Sequence, residues 1–225
     1  MEKIHTLEDF YRSRTDYVPA NLKKDIGHFN VFRVEDFVGK TPKPVPYSRK
    51  DYYKISLIKG HNLYHYADKV IEVQQAGVSF ANPMIPYKLE RIGEMQGGFF
   101  CVFTEAFLNQ IPNIKEYPIF KPGNFPIYEL EEVQVFEFQR IFEEMLTEMC
   151  MEYVYKYDLL RALVQQLIHK AMRLKPNESN VLQGHSANQR ITSLFVELLE
   201  RQFPIESPFQ SMKLRVPADF AAHLS

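Results

Sequence analysis

The sequence has no tryptophan, only two cysteines and only nine glycines in 225 residues. Cys101 and Cys150 alone can form neither a disulfide framework nor a cysteine zinc site, which is typical of proteins from a reducing compartment. No segment approaches the roughly 18 uncharged apolar residues of a membrane-spanning helix, and the first ten residues lack the apolar core of a signal peptide. We therefore expect a soluble, cytoplasmic protein with no membrane partner.

The sequence also lacks an excess of charge of either sign. Its 27 Lys and Arg against 28 Asp and Glu leave a net charge of −1. A strongly basic surface for nucleic acid is thereby excluded from this stretch. With 45% hydrophobic and 24% charged residues, the composition is that of an ordinary globular protein, and the length allows one large domain or two small ones.

Proline and glycine divide the chain, because residues 127–175 contain neither. Before that point, runs rich in β-branched and aromatic residues alternate with turn formers. These runs occupy residues 29–34, 52–58, 70–73 and 99–103. They predict a small antiparallel barrel or sandwich of about eight strands. Residues 40–46 contain three prolines and are predicted to form a loop rather than a central strand.

The second half has helical periodicity. Apolar residues recur at three and four from Val135 to Met149, and again from Leu160 to Ala171. The two helices should form an antiparallel hairpin that packs on the barrel or on a second copy. A capping box at residues 186–189 predicts the start of a third, linker helix, and Pro217 stands where a further helix would begin. The predicted fold class is α+β.

A metal centre is not predicted. His61 and His65 are the closest histidine pair, and barrels of the cupin type do hold metals with histidines. Such barrels place one ligand after a Gly-x5-Pro turn. Here Gly77 and Pro83 supply that spacing, but Lys88 stands where the histidine would fall. We predict neither a metal nor any other cofactor.

No catalytic signature is present. The sequence has no Gly-x-Ser-x-Gly elbow, phosphate-binding glycine loop or His-Glu-x-x-His. Cys101 lies between Phe100 and Val102 in a predicted strand, which indicates an inert core thiol. We assign no catalytic residue and predict that the chain is not an enzyme.

Aromatic side chains suggest a ligand pocket, because the chain has 13 Tyr and 18 Phe, and six of the tyrosines are crowded between positions 47 and 87. Strand alternation predicts that one barrel-lining face consists of Tyr53, Ile55, Leu57, Phe99, Cys101 and Phe103. Tyr64 and Tyr66 are predicted to add polar groups. The same composition also suits a plain core.

Several stretches together resemble the AraC-type bacterial transcription regulators that have a cupin-like sensor ahead of their DNA-binding part. The matching stretches are residues 52–60, 66–69, 79–87, 98–108, 156–161, 167–172 and 195–200. Residues 216–225 resemble the first helix of the first helix-turn-helix unit of these regulators. None of these is a catalytic motif, so the specificity of the resemblance lies in their order and number.

The resemblance implies a cupin-like sensor with an N-terminal arm at 1–126, a dimerising hairpin at 127–176, and a linker with the start of a helix-turn-helix domain at 177–225. It also implies a homodimer that binds an unknown small effector. Sequence-specific DNA binding would lie in a C-terminal domain beyond Ser225, so no DNA-binding residue is assigned within this chain. Effector binding would shift the segment before Pro19 or the hairpin, and thereby change how two copies present their DNA-binding parts.

Two apolar stripes compete for the dimer interface. They are represented by Phe138, Phe142 and Met145 on the first hairpin helix and by Leu160, Leu163, Val164 and Leu167 on the second. The sequence does not choose between them. Two other functions stay open. One is a stand-alone cupin-like enzyme, an isomerase or dioxygenase, and the other is a protein-interaction module without a ligand.

Overall fold

A computed structural model describes residues 5–15, 18–19, 27–37, 45–48, 50–66, 69–83, 85–108, 117–121, 126–175 and 212–224, with positions 191, 194, 195, 198, 199 and 202. The strands are β1 (Phe29–Arg33), β2 (Val45–Ser48), β3 (Tyr53–His65), β4 (Val70–Val73), β5 (Ala76–Ala81), β6 (Tyr87–Phe103) and β7 (Ile127–Glu129). The helices are α1 (Leu7–Arg14), α2 (Glu105–Leu108), α3 (Glu132–Met149), α4 (Lys156–Met172) and α5 (Pro217–Leu224). The predicted capping box at 186–189 lies outside the described residues.

All seven strands belong to one sheet, in which every pairing is antiparallel. The order is β1-β6-β3-β5-β7, and β2 and β4 pair with β6 and β3 beside this path. The α+β class with an antiparallel sheet, followed by a helical hairpin, is thus confirmed. Among the described strands the path runs from β1 to β7 without closing. The strand β2 begins at Val45, inside the segment predicted to be a loop, and it includes Pro46 because it pairs on one side only.

The strands β3 and β6 are long because each bends and continues past the middle of the sheet. Their register shifts between Lys59 and His61. Two glycines permit this, with φ of 115° at Gly60 and 118° at Gly98, a region that side chains rarely adopt. Before the shift β3 pairs with β5, and after it β3 pairs with β4. The first half of β3 therefore pairs with β5 and its second half pairs with β4, on the same edge of the strand.

The helices α3 and α4 cover one face of the sheet, which we call the hairpin face. They run antiparallel, since Lys170 near the end of α4 donates to Glu137 near the start of α3 at 2.6 Å. Their apolar stripes form one core cluster with the sheet, and the rings of Phe99 and Phe142 stack at 5.9 Å. Burial of this apolar surface is the main stabilising term of the hairpin.

The opposite side of the sheet, the arm face, carries α1. Phe10 and Tyr11 pack there against Tyr52 and Phe100. The N-terminus of α1 is held by a capping box between Thr6 and Asp9. It is also fixed to the sheet, because the backbone N–H of Leu7 donates to Asp51 at 2.7 Å. A short helix that could not persist alone is thus held by tertiary contacts.

The bend at Gly98 gives a test of the fold. A Cβ atom at this residue would lie 2.1 Å from the carbonyl oxygen of Leu57, whereas one at Gly93, also at positive φ, would meet nothing within 4 Å. Gly98→Ala should therefore lower the free energy of unfolding by more than about 3 kcal/mol, and Gly93→Ala by only about 1 kcal/mol. Urea denaturation followed by far-ultraviolet circular dichroism measures both. Equal losses would contradict the close approach of β6 to β3.

Candidate functional site

The six residues predicted to line a barrel lie on the hairpin face. All are buried, and they share a core cluster with α3 and α4. The hairpin thus packs on the face that the prediction gave to a ligand, and the role of these six residues in ligand binding stays a prediction. Alternation shows which residues share a face, but an apolar face looks the same whether helices or a cavity cover it. Burial raises the pKa of Cys101 to about 12, so its thiol is not a nucleophile.

Polar side chains gather instead on the arm face. Ser56 and Ser79 are paired across β3 and β5 and are both buried. The hydroxyl of Tyr64 donates to Oγ of Ser79 at 3.1 Å, and burial raises the pKa of this phenol. Nearby, Nζ of Lys54 lies 4.4 Å from the ring centre of Phe100. An apolar surface with a few fixed polar groups is the usual composition of a small-molecule site.

A tyrosine cluster continues this face, made of Tyr64, Tyr66 and Tyr87. Ring centres of Tyr64 and Tyr66 lie 5.9 and 6.0 Å from that of Tyr87. Tyr64 and Tyr66 are thus brought together, as the prediction that both add polar groups to one pocket requires. They lie, however, in a different cluster from the six apolar residues named with them. Their role in ligand binding stays a prediction.

Lys50 is a member of this site that the sequence did not identify. Only 7% of its surface is exposed, and its Nζ lies 3.9 Å from the ring centre of Tyr87. Burial lowers the pKa of the amine to about 8. Lys50 lies between β2 and β3, outside any periodic pattern of apolar residues, so the sequence gives no indication that its side chain is buried.

A second buried polar group joins α1 to the sheet. The hydroxyl of Tyr11 contacts Nε2 of His28 at 2.7 Å and accepts from Asn30 at 3.0 Å. Burial lowers the pKa of His28 to about 4, so its ring is neutral at physiological pH. The Tyr11 hydroxyl can then donate to Nε2 while it accepts from the amide. Packing and hydrogen bonds together hold α1 in place.

The two histidines of the closest pair, which a cupin-type metal site would use, are each hydrogen-bonded to a different carboxylate. Nε2 of His61 lies 2.7 Å from Glu72, and Nε2 of His65 lies 3.0 Å from Glu90. The two pairs use different carboxylates on β4 and β6. In the described part of the chain, no three His, Cys, Asp or Glu side chains are grouped as a metal site requires.

The seven residues predicted for dimerisation are buried inside the protomer, where they join the hairpin to the sheet. Dimerisation itself stays a prediction, but these side chains are not on the surface. The exposed apolar residues of α3 are Val133 and Phe136, with 71% and 63% of their surface accessible. None of the described helices is long and apolar enough to cross a membrane.

The burial of Lys50 predicts a pH-dependent stability. Because its pKa is lower in the folded than in the unfolded chain, the unfolded chain binds more protons between about pH 8 and 10.5, and stability rises with pH across that range. Lys50→Met should therefore be the more stable protein at pH 7. Its advantage should shrink by about 2 kcal/mol between pH 7 and pH 9.5.

Urea denaturation of both proteins at the two pH values measures this difference. The comparison cancels the titration of tyrosines, which both proteins share. As a control, Lys121→Met removes an exposed amine and should show no such trend. A constant difference between the wild type and Lys50→Met would show that the amine is not buried.

No protein-family description and no curated protein matches this chain. Among solved structures it is similar to ToxT from Vibrio cholerae, at 13% identity over 88% of this chain and 70% of that one, with a TM-score of 0.41. It is also similar to the AraC-like transcriptional activator CuxR, at 12% identity over 77% and 56%, with a TM-score of 0.38. A cupin 2 domain-containing protein from Halorhodospira halophila is 9% identical over 55% and 73%, with a TM-score of 0.28. No residue role is transferred from these proteins.

Proposed function

We propose that this chain is the effector-sensing and dimerising part of an AraC-type transcription regulator. A small molecule binds on the arm face, and its binding controls the attachment of the regulator to DNA. The observation that carries the proposal is the gathering of buried polar side chains on the face that also seats α1. A sheet face needed only for packing would be apolar throughout, because each buried hydroxyl or amine costs free energy unless it is paired.

The position of α1 suggests how binding would be reported. The helix is eight residues long and is held by one cluster of apolar side chains, the Asp51 cap and the Tyr11–His28 contact. Ser56 and Phe100 are register partners, so the serine stands directly beside a ring on which α1 packs. An effector that fits better with α1 in one position than in another would shift the population of that position.

Effector binding on this face is tested with a library of small metabolites and a thermal-shift assay. Compounds that raise the melting temperature of the wild type should bind about fivefold more weakly to Tyr64→Phe, which removes one hydrogen bond. Tyr128→Phe is the matched control, because Tyr128 is buried with the hairpin-face cluster. The same compounds should change hydrogen exchange at the amides of α1. Equal loss in both variants, or no stabilising compound, would argue against a sensor of this design.

The exposed face of α3 suggests how two copies would meet. Val133, Phe136, Arg140 and Glu144 follow one another at spacings of three and four and are all exposed, so they form one stripe. Two antiparallel copies related by a two-fold axis between positions 140 and 144 would pair Arg140 with the partner's Glu144, and the reverse. The stripe is therefore complementary to itself, with its apolar residues on either side of two ion pairs.

Charge reversal tests this dimer. Arg140→Glu or Glu144→Arg alone would place like charges together twice, and should weaken association about tenfold if each of the two contacts costs roughly 0.7 kcal/mol. The double variant restores opposite charges and should recover the dimer. Phe136→Glu should weaken it further, whereas Val154→Glu, at a still more exposed site on the turn after α3, should not. Sedimentation equilibrium measures each constant. If none of the substitutions on α3 changes the dissociation constant of the dimer, the two copies associate through another surface.

A further inference from the structure

Lys50 carries a buried amine that forms no hydrogen bond. Only 7% of the residue is exposed, and its Nζ has no hydrogen-bond partner in the part of the chain that is described. The ring of Tyr87 lies against the amine, with its centre 3.9 Å from Nζ. The carboxylate of Asp51, the next residue, is engaged elsewhere, since it accepts from the backbone N–H of Leu7 on α1. The nitrogen is therefore not tied to an acceptor.

This setting favours the neutral form of the amine. An ammonium that has lost its water without gaining a hydrogen bond is costly, and a ring face compensates only part of the loss. In agreement, burial lowers the pKa of Lys50 to about 8. About a tenth of the amine is then neutral at pH 7, against less than about one part in a thousand for an ordinary exposed lysine. A neutral, desolvated lysine amine has a free electron pair and is a nucleophile for carbonyl carbon.

The surroundings of this amine restrict the molecule with which it can react. Tyr64, Ile71 and Leu89 are buried in the same cluster as Tyr87, and the half-buried Tyr66 packs at its edge. These rings and aliphatic chains favour an uncharged reactant with an apolar or aromatic body. Because so little of the lysine is exposed, the reactant must also be compact.

We propose that Lys50 is a covalent site for small, uncharged aldehydes and ketones, which its amine binds reversibly as an imine. The nitrogen attacks the carbonyl carbon, and the carbonyl oxygen leaves as water with the two hydrogens of the neutral amine, so that a C=N bond remains. The step needs no oxidant or reductant, and hydrolysis reverses it. A neutral imine also removes the cost of a buried ammonium. The site goes beyond the proposed function, because it requires only this amine and its surroundings.

Reductive trapping tests the site on the folded wild type. The protein is incubated at pH 7 with benzaldehyde and sodium cyanoborohydride, which reduces an imine to a stable secondary amine, and peptide mass spectrometry identifies each modified lysine. Lys50 should be labelled at least about tenfold faster than the exposed Lys121, because far more of its amine is neutral. In guanidinium chloride the two rates should become equal, since the folded surroundings create the difference.

Reversible binding is measured separately, without the reductant, by the melting temperature. Benzaldehyde should raise the melting temperature of the wild type and of Lys121→Met, but not that of Lys50→Met or Lys50→Arg. The arginine variant keeps the positive charge and loses the nucleophile, so it separates imine formation from binding to a cation. Benzyl alcohol has the same ring without a carbonyl group and should give a smaller shift than benzaldehyde in the wild type.

The opposite outcomes are distinct. If Lys50 in the folded protein is labelled no faster than Lys121, or is not labelled, the proposal is wrong. It is also wrong if benzyl alcohol stabilises the wild type as much as benzaldehyde does, because the binding is then not covalent. Neither result bears on the proposed effector site, which the thermal-shift comparison of Tyr64→Phe with Tyr128→Phe decides independently.

Discussion

The antiparallel pairing of β3 with β6 is the contact on which the rest of this molecule depends. It runs from Tyr53 opposite Phe103 to His65 opposite Lys88, interrupted by one shift of register. β1 and β2 pair with β6, β4 and β5 pair with β3, and β7 is held through β5. Because every other strand is attached to one of these two, directly or through β5, their alternation decides for the whole sheet which side chains face the hairpin and which face the arm.

The two faces of the sheet differ in the polarity of their buried side chains. The hairpin face is mainly apolar and packs against α3 and α4, so its burial stabilises the fold. The arm face buries hydroxyls and an amine beside the short helix α1, which aromatic packing and hydrogen bonds hold on the sheet. Fixed polar groups of this kind are what specific recognition of a small molecule requires.

Much of this architecture could be predicted from periodicity. The strands near 29–33, 53–58 and 99–103, both hairpin helices and the helix at Pro217 all follow from spacing and punctuation. The side of the sheet that α3 and α4 cover could not be predicted. Tyr53 and Ile55 alternate with Lys54 and Ser56 whichever face the helices cover, and only the packing of α3 decides between them. Lys50 was missed because its burial comes from residues distant in sequence, above all Tyr87.

The tyrosine cluster has an optical consequence. With no tryptophan in the chain, tyrosine and phenylalanine are its main aromatic chromophores. The rings of Tyr64 and Tyr66, each about 6 Å from that of Tyr87, form an asymmetric array with it, and such arrays give circular dichroism in the near ultraviolet that vanishes when packing is lost. The protein therefore carries an intrinsic, label-free reporter beside Lys50, on the face where we place the effector.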